Sequence, residues 1–257
     1  LPKIAVDATV IENQNIINDV KELVVYAPKI VQQAVPGQFV HIRGTKDEEG
    51  PLLRRPISIS SVDIKAGTLH LIYRIIGNGT AYLANLKKFD QINCLGPLGN
   101  GFDLNCDRPL LIGGGMGIAP LIFLAQRLNP HNTKVLLGGR NKTELFWRDK
   151  FDGLAEQIYI TTDDGSLGVK GFTVNVLPEI IKANAFDRIF VCGPAIMMEA
   201  AANIAKDHHI ACQVSLEKHM ACGIGACLSC TCASKNSDKR KKVCTDGPVF
   251  WAEEVLE

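Results

Sequence analysis

Four cysteines near the carboxyl end carry the strongest chemical signal in the sequence. They stand as Cys222-x4-Cys227-x2-Cys230-x13-Cys244, the C-x4-C-x2-C run with a distant fourth cysteine that holds a plant-type 2Fe–2S cluster. Such a centre needs four thiolates and a loop lying close over the sulfides. Gly223, Gly225 and Ala226 give that loop backbone freedom and little bulk, so N–H groups can point at sulfur. Structural zinc is the competing reading, but its signature is a pair of C-x2-C knuckles or Cys/His pairs, and a single C-x2-C is present here. Five of the nine cysteines fall between Cys222 and Cys244. An odd count gathered at one end is a poor disulfide framework and fits a reducing, cytoplasmic compartment. Cys232 is left as a spare thiol.

Two further groups of residues suit phosphate. Arg55-Pro56-Ile57-Ser58, with Arg54 before it, opens an alternating strand. An Arg beside a strand hydroxyl can hold a flavin pyrophosphate and seat the ring on the strand. Gly77-Asn78-Gly79-Thr80 precedes a short helix whose first N–H groups could meet a phosphate, with Thr80 as a candidate N-cap. Taken singly, a double Arg is commonly a solvated turn and a Gly-rich turn commonly a cap. Their order within one β-rich region makes FAD the implied ligand. Farther on, Gly113-Gly114-Gly115-Met116-Gly117-Ile118-Ala119-Pro120 joins a buried strand to a helix, and Cys192-Gly193-Pro194 repeats that setting. Glycines there let the backbone approach a pyrophosphate, although G-x-G-x-x-G is not met. Cys192 is placed either near a nicotinamide ring or simply in the core. Asp163-Asp164-Gly165 could meet an adenosine ribose, and Arg140 is the one candidate for a 2′-phosphate. The balance favours NADH over NADPH.

These motifs need elements to hold them. Strand patterns at 3–12, 23–26, 39–42, 57–60, 69–76 and 92–95, punctuated by Gly and Pro, predict an antiparallel β-barrel for residues 1–103, with one helix over 80–86. From 104 to 216 the pattern changes. Strands at 109–112, 135–137, 158–161, 188–192 and 211–216 alternate with helices at 118–128, 143–150, 174–182 and 195–206, predicting a doubly wound parallel sheet. Residues 217–257 read as a small cluster domain. Its basic run Lys239-Arg240-Lys241-Lys242 is read as a solvated loop tip, and Phe250-Trp251 as ordinary packing.

Apolar residues at 46% and charged residues at 21% fit a folded chain with a sizeable core, and a net charge of +1 offers no field for nucleic acid or an anionic membrane. No apolar stretch reaches the ~18 residues of a membrane span, and the first residues lack the pattern of a signal peptide.

Together, Arg55 to Ser58, Gly79-Thr80, the 113–120 turn and Cys192-Gly193-Pro194 resemble the ferredoxin–NADP reductase superfamily. The tail Met220-Ala221-Cys222-Gly223-Ile224-Gly225-Ala226-Cys227, with Val243-Cys244-Thr245-Asp246-Gly247-Pro248-Val249-Phe250, narrows this to the electron-transfer subunits of type B dihydroorotate dehydrogenases. Lys218-His219 departs from the acidic or Arg character expected there. The resemblance spans essentially the whole chain. It implies FAD contacts at Arg55–Ser58, Ile72-Tyr73-Arg74 and Gly79-Thr80, and cluster ligation by the four cysteines. It also implies a separate FMN-containing catalytic subunit that oxidises dihydroorotate, joined with this chain in a heterotetramer. The implied electron route links NAD(H), FAD, the cluster and that FMN, in pyrimidine biosynthesis. Because hydride carries two electrons and the cluster takes one, FAD belongs between them. The rival within the same chemistry is an NAD(P)H-linked reductase subunit of a ferredoxin, sulfite reductase or hydrogenase complex. The rival outside it is a zinc-stabilised interaction module.

Overall fold

A computed structural model describes residues 3–43, 52–235 and 238–256. The chain forms two compact units. The first runs to Gly101 and takes in Glu217–Thr231 and Lys242–Pro248; the second comprises Phe102–Leu216, Cys232–Lys241 and the chain from Val249 onward. Residues after 216 are thus divided between the two.

In the first unit, strands β1 (Ile4–Ile17), β2 (Val20–Tyr26), β3 (Phe39–Arg43), β4 (Arg55–Asp63), β5 (Thr68–Arg74) and β6 (Gln91–Leu98) close a barrel in the order β1-β2-β5-β4-β3-β6. All its pairings are antiparallel. Long β1 pairs with both β2 and β6 and so removes the open edges. Helix α1 (Pro28–Val31), absent from the sequence reading, starts at the proline that ends β2. A proline lacks a ladder donor but suits a first helical turn. Helix α2 (Asn78–Ala84) begins two residues before the predicted start. Its N-cap is Gly77, and Thr80 is the third helical residue, its hydroxyl accepting from the N–H groups of Ile76 and Gly77 at 2.9 and 3.2 Å. Strand β3 is buried on both faces. Val40 and Ile42 share one face of the strand, while Phe39 and His41 lie on the other.

The second unit holds β7 (Pro109–Gly114), β8 (Lys134–Gly139), β9 (Gln157–Thr162), β10 (Val169–Lys170), β11 (Arg188–Cys192) and β12 (Ala211–Ser215), with helices α3 (Ala119–Ala125), α4 (Thr173–Ala183) and α5 (Ala195–Asp207). Residues 143–150, expected as one helix, form two short 3-10 turns, Lys142–Leu145 and Arg148–Phe151. The predicted helix over 118–128 is a 3-10 turn at Gly115–Ile118 followed by the shorter α3. The strand ribbon β13 (Thr231–Cys232) and β14 (Lys241–Lys242) precedes β15 (Val249–Trp251) and helix α6 (Ala252–Val255). Strand β15 escaped the sequence reading and adds antiparallel to β12. The sheet order is β10-β9-β8-β7-β11-β12-β15. Winding reverses between β7 and β11, the switch point where ligands meet open α/β sheets. On one face of the sheet, Leu110, Ile112, Ile189, Val191 and Val214 share a core with Leu177 of α4 and Ala201 of α5.

Candidate functional site

The four spaced cysteines come together within the first unit as two contacting pairs. Cys222 interacts with Cys227, and Cys230 with Cys244. Among the described residues, no three His, Cys, Asp or Glu side chains converge on a point that could hold a single metal ion. The backbone N–H groups of Ile224 and Cys227 donate to Cys222 Sγ, and that of Cys244 to Cys230 Sγ, each at 3.4 Å. Burial would raise the Cys222 thiol, but those N–H groups outweigh it and bring it down to about 6. Cys244 moves the other way, to about 11, through burial and then its contact with Cys230. The loop turns through left-handed backbone at Gly223 (φ 69°) and Gly225 (φ 86°). Leu228 also sits there, at φ 59°, an uncommon and costly conformation for a residue with a branched side chain. Three anchors tie these segments to the barrel side of the unit. Lys3 Nζ donates to the Ile224 carbonyl at 3.4 Å, the Asn100 N–H to Gly247 at 2.6 Å, and Asn100 Nδ2 to Asp246 at 2.9 Å.

The flavin motifs, 24 positions apart in sequence by residue number, meet in space. Arg55 lies across Gly79 so closely that a Cβ there would stand 2.1 Å from Nε. Its neighbour Arg54 goes elsewhere: Nη1 donates to the carbonyls of His41 at 3.2 Å and Asn93 at 3.1 Å, bracing β3 against β6. Pro56 pairs with His41 and Ser58 with Phe39 across β3 and β4. Ile72 and Tyr73 are buried in β5. Burial pushes the Tyr73 phenol up to about 12, against a hydrogen bond to Asn13 at 3.2 Å. Arg74 pairs with Asp19 at 3.1 Å.

In the second unit, the two glycine turns sit at the carboxyl ends of neighbouring strands, where Cys192 pairs with Gly113. A Cβ on Gly117 would lie 2.5 Å from the Gly193 nitrogen, and one on Gly114 would lie 2.8 Å from Met197 Sδ. Met116 belongs to the tight turn that carries the chain from β7 into α3, and Pro194 caps α5. Cys192 is 1% exposed, and burial holds its thiol far above the ordinary value.

Family models match in the same order as these three sets of residues: an oxidoreductase FAD-binding domain over 7–102, an oxidoreductase NAD-binding domain over 111–203, and the iron–sulfur cluster binding domain of dihydroorotate dehydrogenase B over 217–256. A protein of Fusobacterium nucleatum named dihydroorotate dehydrogenase B (NAD(+)), electron transfer subunit, is 41% identical, with 97% of each chain covered. The protein of that name from Geobacillus sp. is also 41% identical, over 96% of this chain and 97% of its own. The chain belongs to the family of dihydroorotate dehydrogenase B electron transfer subunits. It is therefore an NAD(+)-dependent oxidoreductase chain with FAD, NAD and iron–sulfur domains, and the name of its relatives implies a catalytic partner for them. The structure of an NADH-dependent reduced ferredoxin–NADP oxidoreductase, studied for flavin-based electron bifurcation, superposes with a TM-score of 0.84 at 31% identity, covering 96% of this chain and 89% of that one.

Within this family member, several flagged residues have ordinary surroundings. Arg140 is engaged by Glu144, Nε donating to Oε1 at 2.8 Å. Asp164 accepts from the hydroxyl and N–H of Ser166, which hold its carboxyl below the usual range. The basic run is not simply a loop tip. Lys241 and Lys242 form β14, and Lys241 pairs with Glu254 at 3.2 Å over the Phe250 ring. Phe250 is buried in β15, and Arg188 stacks 4.7 Å from the Trp251 ring centre. Cys232 is buried in β13. The sequence reading missed His41 and Asn100. A lone His in a strand and a lone Asn after a turn carry no spacing signal, so folding alone gives them neighbours of interest.

Proposed function

We propose that this chain passes electrons between NAD(H) and the FMN of a separate dihydroorotate dehydrogenase catalytic subunit, through FAD and a 2Fe–2S cluster, in pyrimidine biosynthesis. The observation that carries the reading is the pairing of Cys222 with Cys227 and of Cys230 with Cys244, two thiols for each of two irons, with backbone N–H groups already aimed at sulfur. Those donors fit the cluster. The space over Gly79 filled by Arg55 fits a flavin pyrophosphate, and the contact of Gly117 with Gly193 leaves a turn of bare backbone for a dinucleotide. When bound, FAD supplies the exchange between two-electron hydride chemistry and one-electron transfer.

The chain's own groups do the positioning. Arg55, Ser58 and the first turn of α2, with Thr80 fixing its backbone, hold the flavin phosphates, and the strand residues Pro56, Ile57, Ile72, Tyr73 and Arg74 line its seat. Gly113, Gly114, Gly115, Met116 and Gly117, with Cys192, Gly193 and Pro194, receive the nicotinamide nucleotide at the switch point. Around the cysteines, Ile224 is 49% and Leu228 61% exposed, apolar surface suited to a partner subunit in a heterotetramer. The nine cysteines form no disulfide with one another, which supports a cytoplasmic place.

The likeness to the NADH-dependent reduced ferredoxin–NADP oxidoreductase favours one second reading, a reductase subunit serving a ferredoxin-linked complex. Purification of the native complex separates them. A co-eluting FMN subunit with dihydroorotate-dependent NAD reduction supports the first reading, and a co-eluting iron–sulfur or sirohaem protein without that activity supports the second.

A further inference from the structure

His41 is fully buried, and among the described residues neither ring nitrogen has a hydrogen-bond partner. An imidazole left so is costly and calls for a use. Its place suggests one. On β3 it stands opposite Pro56 of the flavin strand, with its own carbonyl clamped by Arg54. Its outward ring meets the cluster loop: a Cβ on Gly223 would lie 2.5 Å from Nδ1 and 3.0 Å from Cε1. Gly223 therefore serves two ends at once, its left-handed turn and the room for the ring. The Cys222 backbone bears on the imidazole as an acceptor, at a geometry that falls short of a hydrogen bond. His41 thus spans the distance between the strand that seats the flavin and the first cysteine of the cluster loop.

We propose that His41 is a positioning residue of the electron path, whose ring N–H donates to the Cys222 carbonyl once the cluster is in place. The inference rests on the cysteine assignment above. The bond fixes Cys222 against β3 and sets the positive end of an N–H dipole beside a thiolate-ligated centre. Hydrogen bonds and local polarity around the sulfurs raise a cluster's potential by favouring its reduced, more negative form.

The test uses the full chain purified with flavin and cluster, comparing wild type, His41→Leu and His41→Asn. The cluster midpoint potential, followed by EPR, is expected to fall in His41→Leu and to recover partly in His41→Asn, while the flavin potential stays put. An unchanged cluster potential in His41→Leu, with iron content retained, overturns the proposal. If that variant loses its cluster, pulsed EPR of reduced His219→Asn protein, which keeps His41 and lacks the exposed histidine of the cluster segment, decides after labelling with 15N-histidine. A coupled imidazole nitrogen supports the bond, and its absence overturns it. A wild-type protein with no two-iron signal at all would instead defeat the cysteine assignment on which this rests.

Discussion

Arg55 lies against Gly79, its guanidinium carbon Cζ with Nε and Nη2 filling the space that any side chain at that position would need. This single contact joins a strand motif to a helix start, and in the proposed reading the two weak signals form one phosphate site. Arg55→Leu is expected to lower FAD affinity by ~10- to 100-fold, the equivalent of about 1.5–3 kcal/mol for a charge-assisted hydrogen bond. Gly79→Val should do likewise by displacing Arg55. Flavin retention on dilution, read by fluorescence, checks both; wild-type retention in Arg55→Leu places the phosphates elsewhere.

The cysteine pairs predict a separable loss. Cys244→Ser should remove the cluster, measured as iron and acid-labile sulfide, while bound flavin and its reduction by NADH persist. Cys232→Ser, at a buried residue of β13, should keep the iron. Iron lost equally from both variants would be evidence against the proposed ligand set.

At the switch point, Gly117 has no room for a side chain beside the Gly193 backbone. Overpacking of this kind costs about 1–3 kcal/mol. Gly117→Val is therefore expected to raise the Kd for NADH by ~10-fold or more, with flavin and iron contents unaltered. Equilibrium titration of flavin absorbance against NADH measures it.

Asp103 offers a stability prediction with a definite sign. Hydrogen bonds from Asn105 and Arg188 hold its carboxyl below the ordinary value. The native state thus binds fewer protons here than the unfolded chain. The stabilisation is complete above the unfolded pKa, about 4, and is lost as pH falls through the lower folded value. Because the Asp103 side chain is 44% exposed, the contribution is limited to ~0.2–1 kcal/mol. Asp103→Asn should cost that amount at pH 7 and nothing at low pH, by chemical denaturation at each pH; an equal cost at both would point to lost packing instead.

Much of this architecture is legible in the sequence because it is periodic or spaced. Leu110, Leu111 and Ile112 read as a buried strand, and Cys222 to Cys244 read as a cluster loop, since each depends on local order alone. Strand β15 did not announce itself: Val249-Phe250-Trp251 is too short to show a period, and its partner β12 lies more than thirty residues away in sequence. The 3-10 turns at Lys142 and Arg148 defeated a helix pattern because amphipathic spacing over eight residues suits two tight turns equally well. The meetings of Arg55 with Gly79 and of Gly117 with Gly193 were implied only through a shared ligand, and that of His41 with Gly223 could not be read, because close approach of distant segments is set by tertiary packing.

The most direct test of the central claim is an anaerobic titration of the purified full chain with NADH, followed together by visible absorbance and EPR. Flavin absorbance is expected to bleach and the signal of a reduced two-iron cluster to rise with it, both in the wild-type protein and only the first in Cys244→Ser. A colourless protein carrying stoichiometric zinc, or a flavin that reduces while no cluster signal ever appears in wild type, would contradict that claim.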